Sequence, residues 1–183
     1  MYTKSLSLSS NFRIALREAV KIGLFIILLS VSSKVRFCLP YSPVPVTFQT
    51  LVVYLSVLFL GRKALYLQLS YIMLGILGAP VFSAGVGIMY LAGPTGGYIL
   101  GFLFASLLLV KLVPLRKSLL WFILCFSLAD LVILISGLLW IVFITRLSFS
   151  KALYIGIMPF IYGDSLKVLL AALIARIFNP LTR

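Results

Sequence analysis

Asp164 and Lys167 are the residues best suited to do chemistry in this chain. They lie three apart inside a long apolar run, Lys151 to Arg176, with Leu153, Ile155, Ile157, Phe160 and Ile161 before them and Val168, Leu169, Leu170, Leu173 and Ile174 after. Such a run predicts a membrane-spanning helix. On a helix, positions three apart leave the same face about one turn apart. Each charge at membrane depth costs about 2.5–3.5 kcal/mol on insertion scales. A paired acid and base in that setting therefore points to a ligand grip. The alternative is a purely structural ion pair, which rarely outperforms apolar packing.

Composition excludes most other chemistry. Of 183 residues 63% are hydrophobic and 10% charged, against about 25% charged in soluble domains, and mean hydropathy is +1.22. The reading is an all-α integral membrane protein. Glu18, Asp130 and Asp164 are its only acids, and it has no histidine. That removes Ser-His-Asp and Cys-His catalysis and most zinc sites, so no enzyme, metal site or covalent cofactor is expected. The net charge of +13 is spread between apolar runs, as orientation signals and contacts to anionic lipid require, rather than clustered for nucleic acid. Cys38 falls in a loop and Cys125 in an apolar run, which suggests no disulfide framework.

Six elements must position the pair. After a polar, Ser-rich tail (residues 1–11), apolar patterning predicts spans at about 12–33, 46–61, 64–79, 94–113, 119–145 and 152–178, all within one membrane domain. The second and third are short for a core of about 30 Å. Pro40, Pro43 and Pro45 punctuate the first loop, and Gly78, Gly85, Gly87 and Gly93 the third. Irregular backbone near a membrane survives only when packed in protein or lining a cavity, so the third loop is expected to fold over a pocket. Even span number puts both termini on one side. That side carries eleven bases (Lys4, Arg13, Arg17, Lys21, Arg62, Lys63, Lys111, Arg116, Lys117, Arg176 and Arg183) and the other four (Lys34, Arg36, Arg146 and Lys151). The positive-inside rule makes the termini cytoplasmic and turns the Pro-rich and Gly-rich loops outward.

Four features could converge on one outward cavity: Pro45-Val46-Thr47-Phe48-Gln49-Thr50, the loop Phe82-Ser83-Ala84-Gly85-Val86-Gly87, Gly93-Pro94-Thr95-Gly96-Gly97-Tyr98, and Asp164 with Lys167. Gln49 suits either a ligand contact or an interhelical hydrogen bond, and Gly96-Gly97 either close ligand approach or helix packing. Ala15, Ala19 and Gly23 form a small-residue stripe on the first helix, suited to bundle packing or to docking another subunit. Asp130 is a second intramembrane acid. It could face a polar gap, approach a membrane surface or meet a partner. An intramembrane aspartyl hydrolase using Asp130 and Asp164 is disfavoured, because Lys167 beside Asp164 opposes sharing of a proton; an ion-coupled carrier using Asp130 is a further alternative.

Pro43-x-Pro45-Val46-Thr47-Phe48-Gln49-Thr50, Leu74-Gly75-x-x-Gly78-x-Pro80-Val81-Phe82, Gly93-Pro94-Thr95-Gly96-Gly97-Tyr98-x-x-Gly101-Phe102 and Pro159-Phe160-x-x-Gly163-Asp164-x-x-Lys167 resemble, in order and spacing, the BioY family of biotin-capturing subunits of energy-coupling-factor (ECF) transporters. The resemblance covers about residues 40 to 175. It implies a six-helix S component of the plasma (inner) membrane that binds one vitamin, biotin, in an outward cavity and docks on a transmembrane coupling subunit driven by paired ATPases. It also implies that Ala15, Ala19 and Gly23 are the docking surface; an S component for another vitamin is the runner-up. On this reading Asp164 accepts the ureido N–H groups with Gln49 and Thr47 supplementing. Lys167 serves the ureido oxygen or the carboxylate, and Phe82, Gly85, Tyr98 and Phe160 complete the pocket. The glycine loop departs from many relatives in carrying no charged residue.

Overall fold

The computed structural model of the chain describes residues 2–116 and 118–178; Met1 of the expected tail, and the bases Lys117 and Arg183, lie outside them. The described chain is helical, with α1 at Tyr2–Lys34, α2 at Gln49–Leu60, α3 at Ala64–Ile76, α4 at Gly87–Leu91, α5 at Gly96–Leu112, α6 at Leu119–Thr145, α7 at Phe149–Gly156 and α8 at Ile161–Phe178. In the first loop Arg36–Phe37 (β1) pairs antiparallel with Val46–Thr47 (β2), Arg36 opposite Thr47.

Side-chain bonds fix the direction of each long helix. At one end, Ser33 Oγ of α1 donates to Val81 O after α3 at 2.8 Å, and Tyr98 OH at the start of α5 donates to Gly156 O at 2.6 Å. Trp140 Nε1 near the end of α6 donates to Gly93 O at 3.0 Å. At the other end Lys63 pairs with Glu18 at 2.9 Å and Trp121 Nε1 donates to Leu112 O at 3.0 Å. Thus α1, α2, α3, α5, α6 and α8 alternate in direction, with the loops at 35–48, 77–95 and 146–160 together at one end. By length and composition, Gly96–Leu115, Leu119–Thr145 and Gln49–Ile76 could each cross a membrane, and the bent pair α7–α8 makes a fourth. Gln49–Ile76 is nonetheless not one rod. Gln68 Nε2 reaches Ser56 Oγ at 3.3 Å, and residues twelve apart on a straight helix are about 18 Å apart. The chain folds back at Gly61, whose φ of 57° falls where a side chain would be strained.

The exterior is as apolar as the interior: Leu120, Leu139, Phe143 and Ile177 are exposed, while Gln49, Thr50, Ser56, Gln68, Asp164 and Lys167 are buried. That inversion suits lipid as solvent, where polar groups must find partners inside the protein.

Three expectations change. The polar segment expected as a separate tail continues α1 from Tyr2; at 1.5 Å per residue this helix is about 50 Å long, more than one bilayer core needs. The second span starts at Gln49, because Val46 and Thr47 are held in the strand pair. The final span is broken: α7 and α8 meet at 51° across Pro159, which lacks an N–H and bars the preceding residue from helical conformation.

Gly96 and Gly97 resolve as packing positions. A Cβ on Gly97 would lie 2.1 Å from Trp140 Cβ and 2.6 Å from Ser136 O, and one on Gly96 1.7 Å from Leu91 O. Gly97→Ala is expected to force α5 off α6 at a cost of about 1–3 kcal/mol, read as a lower thermal midpoint of the detergent-solubilised protein.

Candidate functional site

A cavity opens at the loop end of the bundle, between the entries of α2, α5 and α8. Thr47, Gln49 and Thr50 form one side and Ser83, Tyr90 and Thr95 of the third loop cover it; Tyr98 and Phe102 of α5, Ile133 and Leu134 of α6 and Phe160 supply the apolar walls. Asp164 and Lys167 line it as well. The third loop therefore covers a pocket, as its glycines suggested.

The break at Pro159 is what brings the acid there. It starts α8 at Ile161, so Asp164 stands in the first helical turn, where the helix dipole favours a negative charge by about 0.3–1 kcal/mol. Only 2% of Asp164 and 4% of Lys167 is exposed. Lys167 Nζ lies 2.6 Å from Asp164 Oδ1, Thr50 Oγ1 donates to the same oxygen at 3.4 Å, and the ammonium stands 6.0 Å above the Phe48 ring. An ammonium has three N–H donors and a carboxylate about four acceptor sites. The pair therefore neutralises itself and keeps donors and acceptors for a guest that offers both.

Gln49 makes the interhelical hydrogen bond expected of it and also lines the cavity. Its Nε2 donates to Tyr71 OH at 2.7 Å, and Tyr71 OH donates onward to Val81 O at 2.8 Å. Its Oε1 accepts from Thr47 Oγ1 at 3.3 Å while the residue still lines the cavity. The Tyr98 and Phe160 rings lie 5.4 Å apart and make an aromatic wall.

Phe82 and Gly85 are not brought into the cavity. Phe82 is fully buried between Tyr71, at 5.6 Å, and Tyr90, at 5.2 Å. Its ring occupies the space a Cβ on Gly75 would need. Gly85 makes room for the Tyr90 ring, 2.6 Å from where its Cβ would be. Both hold Tyr90 in the lining from behind. Thr50 reaches the cavity with the segment expected to bring its hydroxyls there, whereas Tyr71 on α3 carried no signal in the sequence, because its bond to Gln49 depends on how α3 packs against α2.

Charge missing from the glycine loop arrives from the first. Lys34 Nζ donates to Phe82 O, and Arg36 donates to Ser83 O at 3.0 Å, leaving two exposed bases at the rim. At the opposite end Ala15 and Ala19 are exposed on α1, a Cβ on Gly23 would meet nothing within 4 Å, and Phe12, Leu16, Val20 and Leu24 around them are exposed too. The stripe is not used in packing the described bundle. Among the described residues no cluster of metal-ligating side chains occurs.

The model of the BioY family matches residues 3–183. The biotin transporter BioY of Thermotoga maritima is 34% identical over 167 residues, covering 87% of this chain and 94% of that one. The biotin transporter BioY2 of Lactococcus lactis is 36% identical over 138 residues, covering 74% and 76%. In fold, the chain is similar to the crystal structure of an S-component for biotin from an ECF-type ABC transporter, with a TM-score of 0.80, 21% identity and coverage of 90% and 91%.

Proposed function

Because this chain belongs to the BioY family, we propose that it captures biotin from outside the plasma (inner) membrane and delivers it as the S component of an ECF transporter. The observation that carries the reading is the ion pair of Asp164 and Lys167, joined at 2.6 Å and buried, yet lining a mostly apolar cavity. Biotin has the matching chemistry: a ureido group with two N–H donors and one carbonyl, on an apolar bicycle with an aliphatic chain. Asp164 accepts ureido N–H, supplemented by Gln49 and Thr47, and Lys167 donates to the ureido oxygen. Tyr98, Phe160 and Phe102 hold the ring system. Selectivity follows from burial, since a guest lacking the ureido group leaves the polar groups of the site without partners.

The carboxylate end then points to the rim, where Arg36 and Lys34 supply the counter-charge. Arg36→Ala is expected to weaken binding of free biotin several-fold while leaving a biotin amide, which lacks the charge, nearly unaffected in the same titration.

Transport needs a partner. The small-residue stripe Ala15, Ala19 and Gly23 is proposed to dock on the transmembrane coupling subunit, where small side chains permit close helix approach, and paired ATPases supply the work. The bases at the loop-poor end put the termini in the cytoplasm, so the cavity faces the side from which vitamin arrives. A binding screen of the purified protein across vitamins tests the reading: saturable binding of biotin alone is expected, and preference for another vitamin would overturn the substrate.

A further inference from the structure

Lys167 stands between two spaces. One is the cavity. The other is a lateral groove beside α8, lined among others by Phe37, Phe48, Leu166 and Leu170. Those four side chains are exposed, so the groove opens to lipid. Thr47 and Lys167 line both spaces and form the partition between them. Phe48 lines the groove and not the cavity, yet its ring centroid lies 6.0 Å from Lys167 Nζ. Local structure fixes the ring there. Val46 and Thr47 are held by pairing with Arg36 and Phe37, and this strand seats against the start of α8, where a Cβ on Gly163 would stand 3.5 Å from Val46 Cγ1. Phe48 follows directly and α2 begins at Gln49. One short stretch thus gives Thr47 and Gln49 to the cavity and Phe48 to the groove.

We propose that Phe48 is a positioning residue for ligand binding: the face of its ring holds the Lys167 ammonium from the groove side, so that an N–H stays turned to the guest in the cavity. The choice of biotin as that guest rests on the reading above. A lysine stem is flexible and carries its charge toward water where it can. The single carboxylate contact, Asp164 at 2.6 Å, fixes one of the three N–H donors and leaves the rest free to swing. A ring face attracts a cation within about 6 Å of its centroid through its quadrupole, and more strongly where water is excluded; here the ammonium belongs to a residue only 4% exposed. Ring and carboxylate together restrain the ammonium, and less freedom is lost when it donates to the ureido oxygen.

The test replaces Phe48 by mono-, di- and trifluorophenylalanine, which keep the ring and its apolar cover while draining charge from its face. Biotin affinity of the purified protein is expected to fall stepwise along the series, by about fivefold in total, and Phe48→Leu to cost about as much. A second measurement separates this role from plain packing. Along the same series the thermal midpoint of the ligand-free protein should fall when Lys167 is present. It should stay unchanged in the double variant Asp164→Asn, Lys167→Met, which has no cation for the ring to hold. Affinity that is flat across the fluorinated rings, or equal midpoint shifts in both backgrounds, would overturn the proposal. Failure of the wild type to bind biotin would instead overturn the substrate assignment, and the midpoint comparison would still decide whether the ring holds the cation.

Discussion

Asp164→Asn and Lys167→Ala are each expected to weaken biotin binding at least tenfold, equivalent to about 1.4 kcal/mol. Either change removes one half of a buried ion pair and leaves the other half unpaired, which commonly destabilises by about 3–5 kcal/mol. Loss of binding must therefore be separated from loss of fold. The double variant Asp164→Asn with Lys167→Met restores neutrality and similar volume, so it should regain thermal stability relative to the single variants. Biotin binding should not return with it. A double variant that is stable and binds like the wild type would mean the pair only holds the bundle together.

The second large effect lies at the other end of the molecule. Ala15→Trp or Ala19→Trp should reduce ATP-dependent biotin uptake at least tenfold in cells supplying the coupling subunit and ATPases, while purified protein binds biotin as before. Both alanines are exposed, so a bulky side chain disturbs no contact of the folded chain, and the harm falls on whatever approaches this face. Full uptake by both variants would remove the stripe from the docking surface.

Much of the site was legible because membrane depth makes charge expensive. Asp164 and Lys167 stood out against an apolar background, and the glycines of the third loop announced irregular backbone that had to cover something. The break at Pro159 was harder to see, because apolar residues continue on both sides of it and hydropathy alone does not register a bend. Yet that bend is what puts Asp164 in the first turn of α8 instead of at mid-span. Phe82 and Gly85 were drawn into the pocket by their neighbourhood in the loop. Which side of a loop faces inward depends on tertiary packing, and Tyr71, Gly75 and Tyr90 turn Phe82 away from the cavity. Asp130 was left with several alternatives for a similar reason: its hydrogen bond to Tyr54 is set by the register of α2 against α6, which no local pattern in α6 encodes. The stripe on α1 was visible as spacing, and its exposed alanines show that the described bundle does not use them for packing.

The proposed grip of a buried acid and base on α8 on the ureido head of biotin is decided by isothermal titration of biotin into the purified wild type and into the stable Asp164→Asn, Lys167→Met protein. Saturable binding of one biotin per chain is expected in the first and its loss in the second; no binding to the wild type, or equal binding to both, would refute the grip.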